Sequence, residues 1–143
     1  MKEISDKTRD LLDELVESIL QDFGLDKELI HGCFPLKVPY RIQAGEALLT
    51  IETRMKNTLK LPRSFGIKII DDAKRLGVFK RDDLSEEQGI ELLFRGSVLG
   101  IRNVLAHSKP EMDREEAVKV ILFADYLIKL FETQCEINKI KIR

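Results

Sequence analysis

Apolar side chains recur at intervals of three and four residues through most of this 143-residue chain. Such intervals place them on one face of an α-helix, whereas a half-buried β-strand requires alternation at every second residue. The periods cover residues 5–23, 42–59, 65–76, 84–105 and 113–135. They predict an all-α fold, a compact bundle of about five helices that forms a single domain over residues 1–143.

Turn-forming residues interrupt the helical periods near the N-terminus. Residues 24–41 contain Gly32, Pro35 and Pro39 and carry no sustained period, so they are predicted to form a long N-terminal connection. A loop of this length is unusual in a compact domain. We therefore expect either a short helical turn near residues 27–30 or a contact across a subunit interface.

Two helix starts have the form of a capping box, in which a short polar side chain accepts a hydrogen bond from a backbone amide three residues further on. Ser85 with Gln88 predicts the start of the fourth helix. Asp113 with Glu116 predicts the start of the fifth.

Three of the predicted helices carry surface residues that predict what each helix packs against. The fifth helix carries a second apolar stripe beside its main one, which predicts packing on two sides, as in a bundle that also dimerises. Gly96 and Gly100 lie inside the fourth helix, where each costs about 1 kcal/mol relative to alanine, so we expect a partner helix close to the backbone. The first helix has one stripe, predicted to face the core: Leu11, Leu12, Leu15, Ile19, Leu20 and Phe23.

Charge is unevenly distributed, although the net charge is only −1. Residues 1–30 are predominantly acidic and disfavour phosphate. Residues 53–70 contain no acidic side chain, and their basic side chains either contact a polyanion or form a solvated helix face. Charge alone does not distinguish the two. These side chains are Arg54, Lys56, Lys60, Arg63 and Lys68.

The cysteines and the lack of a long apolar run predict a protein of a reducing, aqueous compartment. Cys33 and Cys135 match no metal or redox spacing and are predicted to be incidental thiols, and no metal ion or other cofactor is expected. His31 belongs to no motif and is predicted to be structural. Because no apolar run approaches the length of a membrane span and the N-terminus lacks a signal-peptide core, we expect a cytoplasmic protein with no membrane partner.

The stretch GIRNVLAHSKPEMDREE, residues 100–116, places Arg102, Asn103 and His107 between the last two helices. In an uninterrupted α-helix Arg102 and His107 would point about 140° apart. Pro110 disfavours helical geometry at the residue before it. We therefore expect the helix to break, so that His107 lies in a loop that folds back and shares a solvent pocket with Arg102.

An arginine and a histidine in one pocket have a chemical use on RNA. Histidine, with a reference pKa near ~6.5, can remove the proton of a ribose 2′-hydroxyl, which then attacks the adjacent phosphorus. The arginine fork stabilises the charge on the phosphate oxygens, while Asn103 orients the ring or the phosphate. The alternative is structural, because arginine and asparagine are both favoured near helix C-termini.

This motif resembles the R-x4-6-H motif of the HEPN superfamily, in which a polar residue follows the arginine. Residues 92–132, LLFRGSVLGIRNVLAHSKPEMDREEAVKVILFADYLIKLFE, are similar to the C-terminal half of the Ymh-type HEPN proteins of prokaryotes and phages. Upstream, GEALLTIETRMKN and FGIKIIDDAKRLG resemble two further segments of that family. The resemblance covers roughly residues 30–134.

The resemblance implies an HEPN-like helical domain that acts as a metal-independent endoribonuclease in toxin–antitoxin or phage-defence systems. Arg102 and His107 would be the catalytic pair, with Asn103 beside the arginine. The implied partners are RNA, an antitoxin or other defence protein, and a second copy of the chain. A homodimer that joins two motifs in one cleft supplies both a base and an acid.

Three further residues are assigned to RNA binding. Glu52 matches the acidic residue of the family's second helix. Arg95 lies two helical turns before Arg102, and an ion pair with Glu91 is its equally weighted alternative. Lys109 stands where many HEPN toxins carry a tyrosine, so regulation by nucleotidylation of this side chain is not expected and the lysine is assigned to RNA.

Two interpretations of function stay open. The first is a ribonuclease of the HEPN type. The second is a non-catalytic helical dimer that binds RNA or a partner protein and keeps the motif as a helix-end cap. An unrelated helical bundle is a third and weaker interpretation.

Overall fold

The chain is described here by a computed structural model that covers residues 5–107 and 111–140. Within these ranges every regular element is helical and no strand occurs, which confirms the all-α prediction. The elements are α1 (Asp6–Asp22), α2 (Lys27–Cys33), α3 (Arg41–Leu59), α4 (Ile67–Arg75), α5 (Leu84–Gly96), a π-helical segment (Ser97–Arg102), α6 (Asn103–His107) and α7 (Arg114–Ile137).

The centre of the fold is the pair formed by α3 and α7, which pack along each other. Their buried residues follow the three- and four-residue intervals of the sequence, and each fully buried apolar side chain stabilises the fold by about 1.5–3 kcal/mol. Phe79 and Phe94 add an aromatic pair with ring centroids 5.3 Å apart. On α7 the buried apolar residues are Ala117, Ile121, Ala124, Leu127, Ile128 and Phe131.

The N-terminal connection contains a helix of its own, α2, where a short turn was predicted. Asp26 caps it by accepting a hydrogen bond from the amide of Glu28 at 3.0 Å. Leu29 is fully buried, and Phe34 and Leu36 pack into the same core. The connection is therefore accounted for by packing within one chain. With α5, the π-helical segment and α6 counted as one continuous helix, α2 is a sixth helix beside the five predicted.

Of the two predicted capping residues, the structure confirms Asp113 but not Ser85. Asp113 caps α7 as predicted, since its Oδ1 accepts a hydrogen bond from the amide of Glu116 at 2.8 Å. The prediction for Ser85 was wrong. Asp83 is the cap of α5, and its carboxylate accepts from the amides of Ser85 at 2.7 Å and Glu86 at 3.2 Å. An aspartate two residues earlier therefore starts the helix before the serine is reached.

Helix α1 contradicts the predicted core stripe. Asp13 is buried instead, with its Oδ1 3.5 Å from Nη1 of Arg114 on α7. Burial raises the pKa of the Asp13 carboxyl, and the charge of Arg114 opposes that shift. This pair and the buried Leu20 define the inward face of α1. Four residues of the predicted stripe are consequently exposed: Leu11, Leu15, Ile19 and Phe23.

The two surfaces predicted to meet a partner have different environments. A Cβ added at Gly96 or Gly100 would meet no atom within 4 Å, so no helix of the described chain approaches them. On α7, Val118 and Leu130 pack partly against the core, whereas Leu122 is exposed. Much of the wide apolar surface of α7 is therefore used inside the chain.

Candidate functional site

The helix does not break between Arg102 and His107, contrary to the prediction. α5 runs directly into the π-helical segment, which ends at Arg102, and α6 continues to His107. The wider turn of a π-helix changes the direction of the side chains that follow it. His107 is therefore helical and exposed rather than part of a loop.

Arg102 and His107 nevertheless line the same groove, which has a volume of about 490 Å³. One wall is the first half of α3, and the other is the π-helical segment with α6. Arg102, Leu105 and Ala106 share one helix face at intervals of three and four, and His107 follows at its end. The angular separation of 140° expected for an ideal helix does not prevent both residues from lining one groove.

The guanidinium of Arg102 is held by two neighbours. Its Nε lies 3.1 Å from Oε1 of Glu52, which forms an ion pair without a hydrogen bond to that oxygen. Its Nη1 donates a hydrogen bond to Oδ1 of Asn103 at 3.4 Å. Gly66, with φ of +56°, lies beside Nη1. Among the described residues Nη2 donates no hydrogen bond, and the side chain of Arg102 is 31% exposed.

Glu52 is buried behind Arg102, with a relative exposure of 7%. Burial raises the pKa of its carboxyl above the ordinary value, while the charge of Arg102 and a hydrogen bond from the backbone amide of Gly66 act in the opposite direction. The carboxylate that the resemblance assigned to RNA binding is thus buried and paired with Arg102.

Comparison with known protein families places the chain in a family. Residues 23–131 match the sequence model of Hypoth_Ymh, a family described as proteins of unknown function. The chain belongs to the Hypoth_Ymh family. No curated protein and no solved structure matches it. The match contains all the motif residues and leaves α1, residues 6–22, outside it.

The other residues assigned to RNA in this Hypoth_Ymh protein lie in different settings. Arg95 Nη2 donates to Glu91 and to Asp71, both at 2.8 Å, so the ion-pair alternative for this arginine is present. Lys109 lies outside the described residues. His31 is exposed at the end of α2 and lines no part of the groove.

The basic segment of residues 53–70 is partly neutralised. Arg54 pairs with Asp26 at 2.9 Å, Glu28 at 3.2 Å and Glu132 at 2.5 Å, which makes it a structural residue that ties α2, α3 and α7 together. Lys56 lies 3.9 Å above the ring of Phe65. Lys60, Arg63 and Lys68 remain exposed.

Arg41, which lines the groove on the α3 side, was not among the residues predicted from the sequence. The predicted helix began at residue 42 and so left this arginine in the connection. A signal was available, because Arg41, Gly45 and Leu49 recur at intervals of four and all line the groove. The groove thus carries an arginine on each wall.

Other candidate sites in the Hypoth_Ymh chain offer less chemistry. A second cavity of about 630 Å³ lies between the C-terminal halves of α3 and α7 and contains none of the motif residues.

Burial raises the pKa of Cys33 to about 12 and that of Cys135 to about 11, which keeps both thiols protonated near neutral pH. Within residues 5–107 and 111–140 there is no group of three His, Cys, Asp or Glu side chains placed to hold a metal ion, and no helix is long and apolar enough to cross a membrane.

The raised pKa of Glu52 predicts a pH dependence of stability. Between the ordinary value of 4.5 and the raised value, the folded chain retains a proton that the unfolded chain has lost. The contribution of Glu52 to the free energy of unfolding is therefore greatest below 4.5 and falls as pH rises through that window. We expect Glu52→Gln to gain stability relative to the wild type over the same window. Urea unfolding at a series of pH values measures the difference, and a difference independent of pH would contradict the assignment.

Proposed function

We propose that this protein is a metal-independent endoribonuclease of the HEPN type. The observation that carries the proposal is the shared groove that Arg102 and His107 both line, with His107 exposed and the side chain of Arg102 31% exposed. Support also comes from the Ymh family match over residues 23–131 and from the hydrogen bond between Arg102 and Asn103. The biological role and the partners of the protein are those that the resemblance implies. RNA is the substrate, the context is a toxin–antitoxin or phage-defence system, and an antitoxin or other defence protein is the regulator.

The reaction uses the nucleophile that RNA itself provides. His107 removes the proton of a ribose 2′-hydroxyl, and the oxygen attacks the adjacent phosphorus. The bond from phosphorus to the 5′-oxygen of the next nucleotide breaks, and that oxygen takes up a proton from a second, protonated histidine. Arg102 stabilises the negative charge that develops on the phosphate oxygens, and Arg41 holds the neighbouring phosphate. The products are a 2′,3′-cyclic phosphate and a free 5′-hydroxyl.

A homodimer supplies the second histidine. The outer face of α5 and the π-helical segment supports this assembly, because apolar side chains and glycines alternate along it at intervals of three and four. Small residues permit close approach of a second helix backbone, and exposed leucines supply apolar area. The face ends beside Asn103 and His107. Its members are Gly89, Leu92, Leu93, Gly96, Leu99, Gly100 and Val104.

The dimer face predicts the effect of larger side chains at its glycines. We expect Gly96→Gln/Gly100→Gln to be monomeric by sedimentation velocity and to lose RNA cleavage. It should stay folded, because added Cβ atoms meet nothing within 4 Å and removal of a helix glycine stabilises the monomer by about 0.5–1 kcal/mol. Gly32→Gln on α2, where the space is equally open, is the matched control and should behave as the wild type. A wild type that cleaves RNA as a monomer would contradict the dimer.

A second candidate function is a non-catalytic helical dimer that binds RNA or a partner protein. The ion pair between Arg102 and Glu52 favours it, since a guanidinium engaged by a buried carboxylate can serve structure alone. One experiment separates the two candidates. Purified protein is incubated with total RNA in EDTA, and cleavage that leaves cyclic phosphate ends supports the nuclease. RNA that is bound but intact supports the binding module.

A further inference from the structure

Helix α1 presents an apolar ridge to solvent. Leu11, Leu15, Ile19 and Phe23, spaced four residues apart, form what we call the α1 ridge, with Leu15 56% and Phe23 81% exposed. Side chains at this interval form the rows that pack into the grooves of another helix. No described part of the chain covers the ridge, because the inward face of α1 is occupied by Asp13 and Leu20.

Acidic side chains flank the α1 ridge. Glu14 lies three residues after Leu11, and Asp22 lies three after Ile19, so each is an immediate neighbour of a ridge residue on the helix surface. Asp10 extends the same acidic border. All three are exposed, and none forms an ion pair with another described residue. The border is therefore free to meet positive charge from outside the chain.

We propose that the α1 ridge docks a basic amphipathic helix of a different protein. An apolar stripe on that helix covers the ridge, and its lysine or arginine side chains pair with the acidic border. A second copy of α1 would set acidic side chains against acidic side chains, and RNA would set phosphate against them. The proposal does not depend on RNA cleavage, since no residue of α1 lines the groove and α1 precedes the segment that matches the family.

The test uses the full chain and a synthetic helical peptide of the length of α1, with leucine at intervals of three and four and lysine elsewhere. Binding is measured by isothermal titration at two salt concentrations. We expect Leu15→Gln/Ile19→Gln to bind at least about tenfold more weakly than the wild type, and the affinity of the wild type to fall as salt rises. Leu122→Gln/Tyr126→Gln on the exposed face of α7 is the matched control and should bind as the wild type does.

Two further peptides and one further measurement complete the design. A peptide with glutamate in place of lysine, and a lysine peptide whose leucines are scrambled, should not bind. Circular dichroism should show all variants folded, because the substituted side chains are exposed. Equal binding by the ridge variant or the scrambled peptide would overturn the proposal. So would a wild type that self-associates through the ridge, which would identify a second copy as the occupant.

Discussion

Replacement of His107 by alanine is expected to slow RNA cleavage by roughly 10²–10⁴-fold, the range that a positioned general base or acid contributes. The side chain is exposed and lines the groove, so its removal takes away the proton acceptor and leaves the fold intact. The loss should appear in the single-turnover rate at saturating protein. RNA affinity should change little, because Arg102 and Arg41 still contact phosphate.

The other histidine provides the matched control for this result. His31 is also exposed and also lies near a helix end, on α2, yet it is outside the groove. His31→Ala should cleave RNA at the wild-type rate. Equal rates for wild type, His31→Ala and His107→Ala would remove His107 from the chemistry and leave the binding module as the function.

Loss of Arg102 is expected to have two separable effects. Arg102→Ala should lower the cleavage rate by roughly 10²–10³-fold, as does removal of one preorganised group that stabilises developing negative charge. It should also lower stability near neutral pH by about 1–3 kcal/mol, because Glu52 then stays buried without its cation. Arg102→Lys should recover stability more than activity, since a lysine cannot present the planar fork.

A double variant distinguishes catalysis from structure. Arg102→Ala/Glu52→Gln removes the buried charge together with its partner, so stability should return towards that of the wild type while cleavage stays low. Urea unfolding and the cleavage assay are run on the same samples, with Arg75→Ala on α4 as a control at an arginine outside the groove. Recovery of cleavage in the double variant would mean that Arg102 acts only through stability.

The apolar periods predicted the fold because they report burial directly. The stripes of α3 and α7 became the core, and Asp113 capped α7 as predicted. The same reasoning failed for α1, because an apolar stripe does not say whether its cover comes from the same chain. The ion pair between Asp13 and Arg114, which sets the face that α1 turns inward, joins residues about a hundred positions apart and leaves no local signal.

The prediction that Arg102 and His107 share a pocket agrees with the groove that both line, whereas the helix that carries them was not predicted. Arg102, Asn103 and His107 were named from one short stretch, but the predicted break relied on ideal α-helical angles. The chain instead stays helical through the π-helical segment and α6, and no periodicity marks the π-helical segment in the sequence. The place of Arg41 in the groove and the ion pair of Glu52 with Arg102 depend on how α3 packs against the π-helical segment, a contact between elements distant in the chain.

The most direct test of the central claim is the chemistry of the cleaved end. A short RNA and the same oligonucleotide with a single 2′-deoxy nucleotide before the cleaved phosphate are incubated with the protein in EDTA and analysed by mass spectrometry. Attack by the neighbouring 2′-hydroxyl predicts a 2′,3′-cyclic phosphate from the RNA and no cut at the substituted position. Cleavage of both at that position, or RNA left intact by the dimer, would contradict the account.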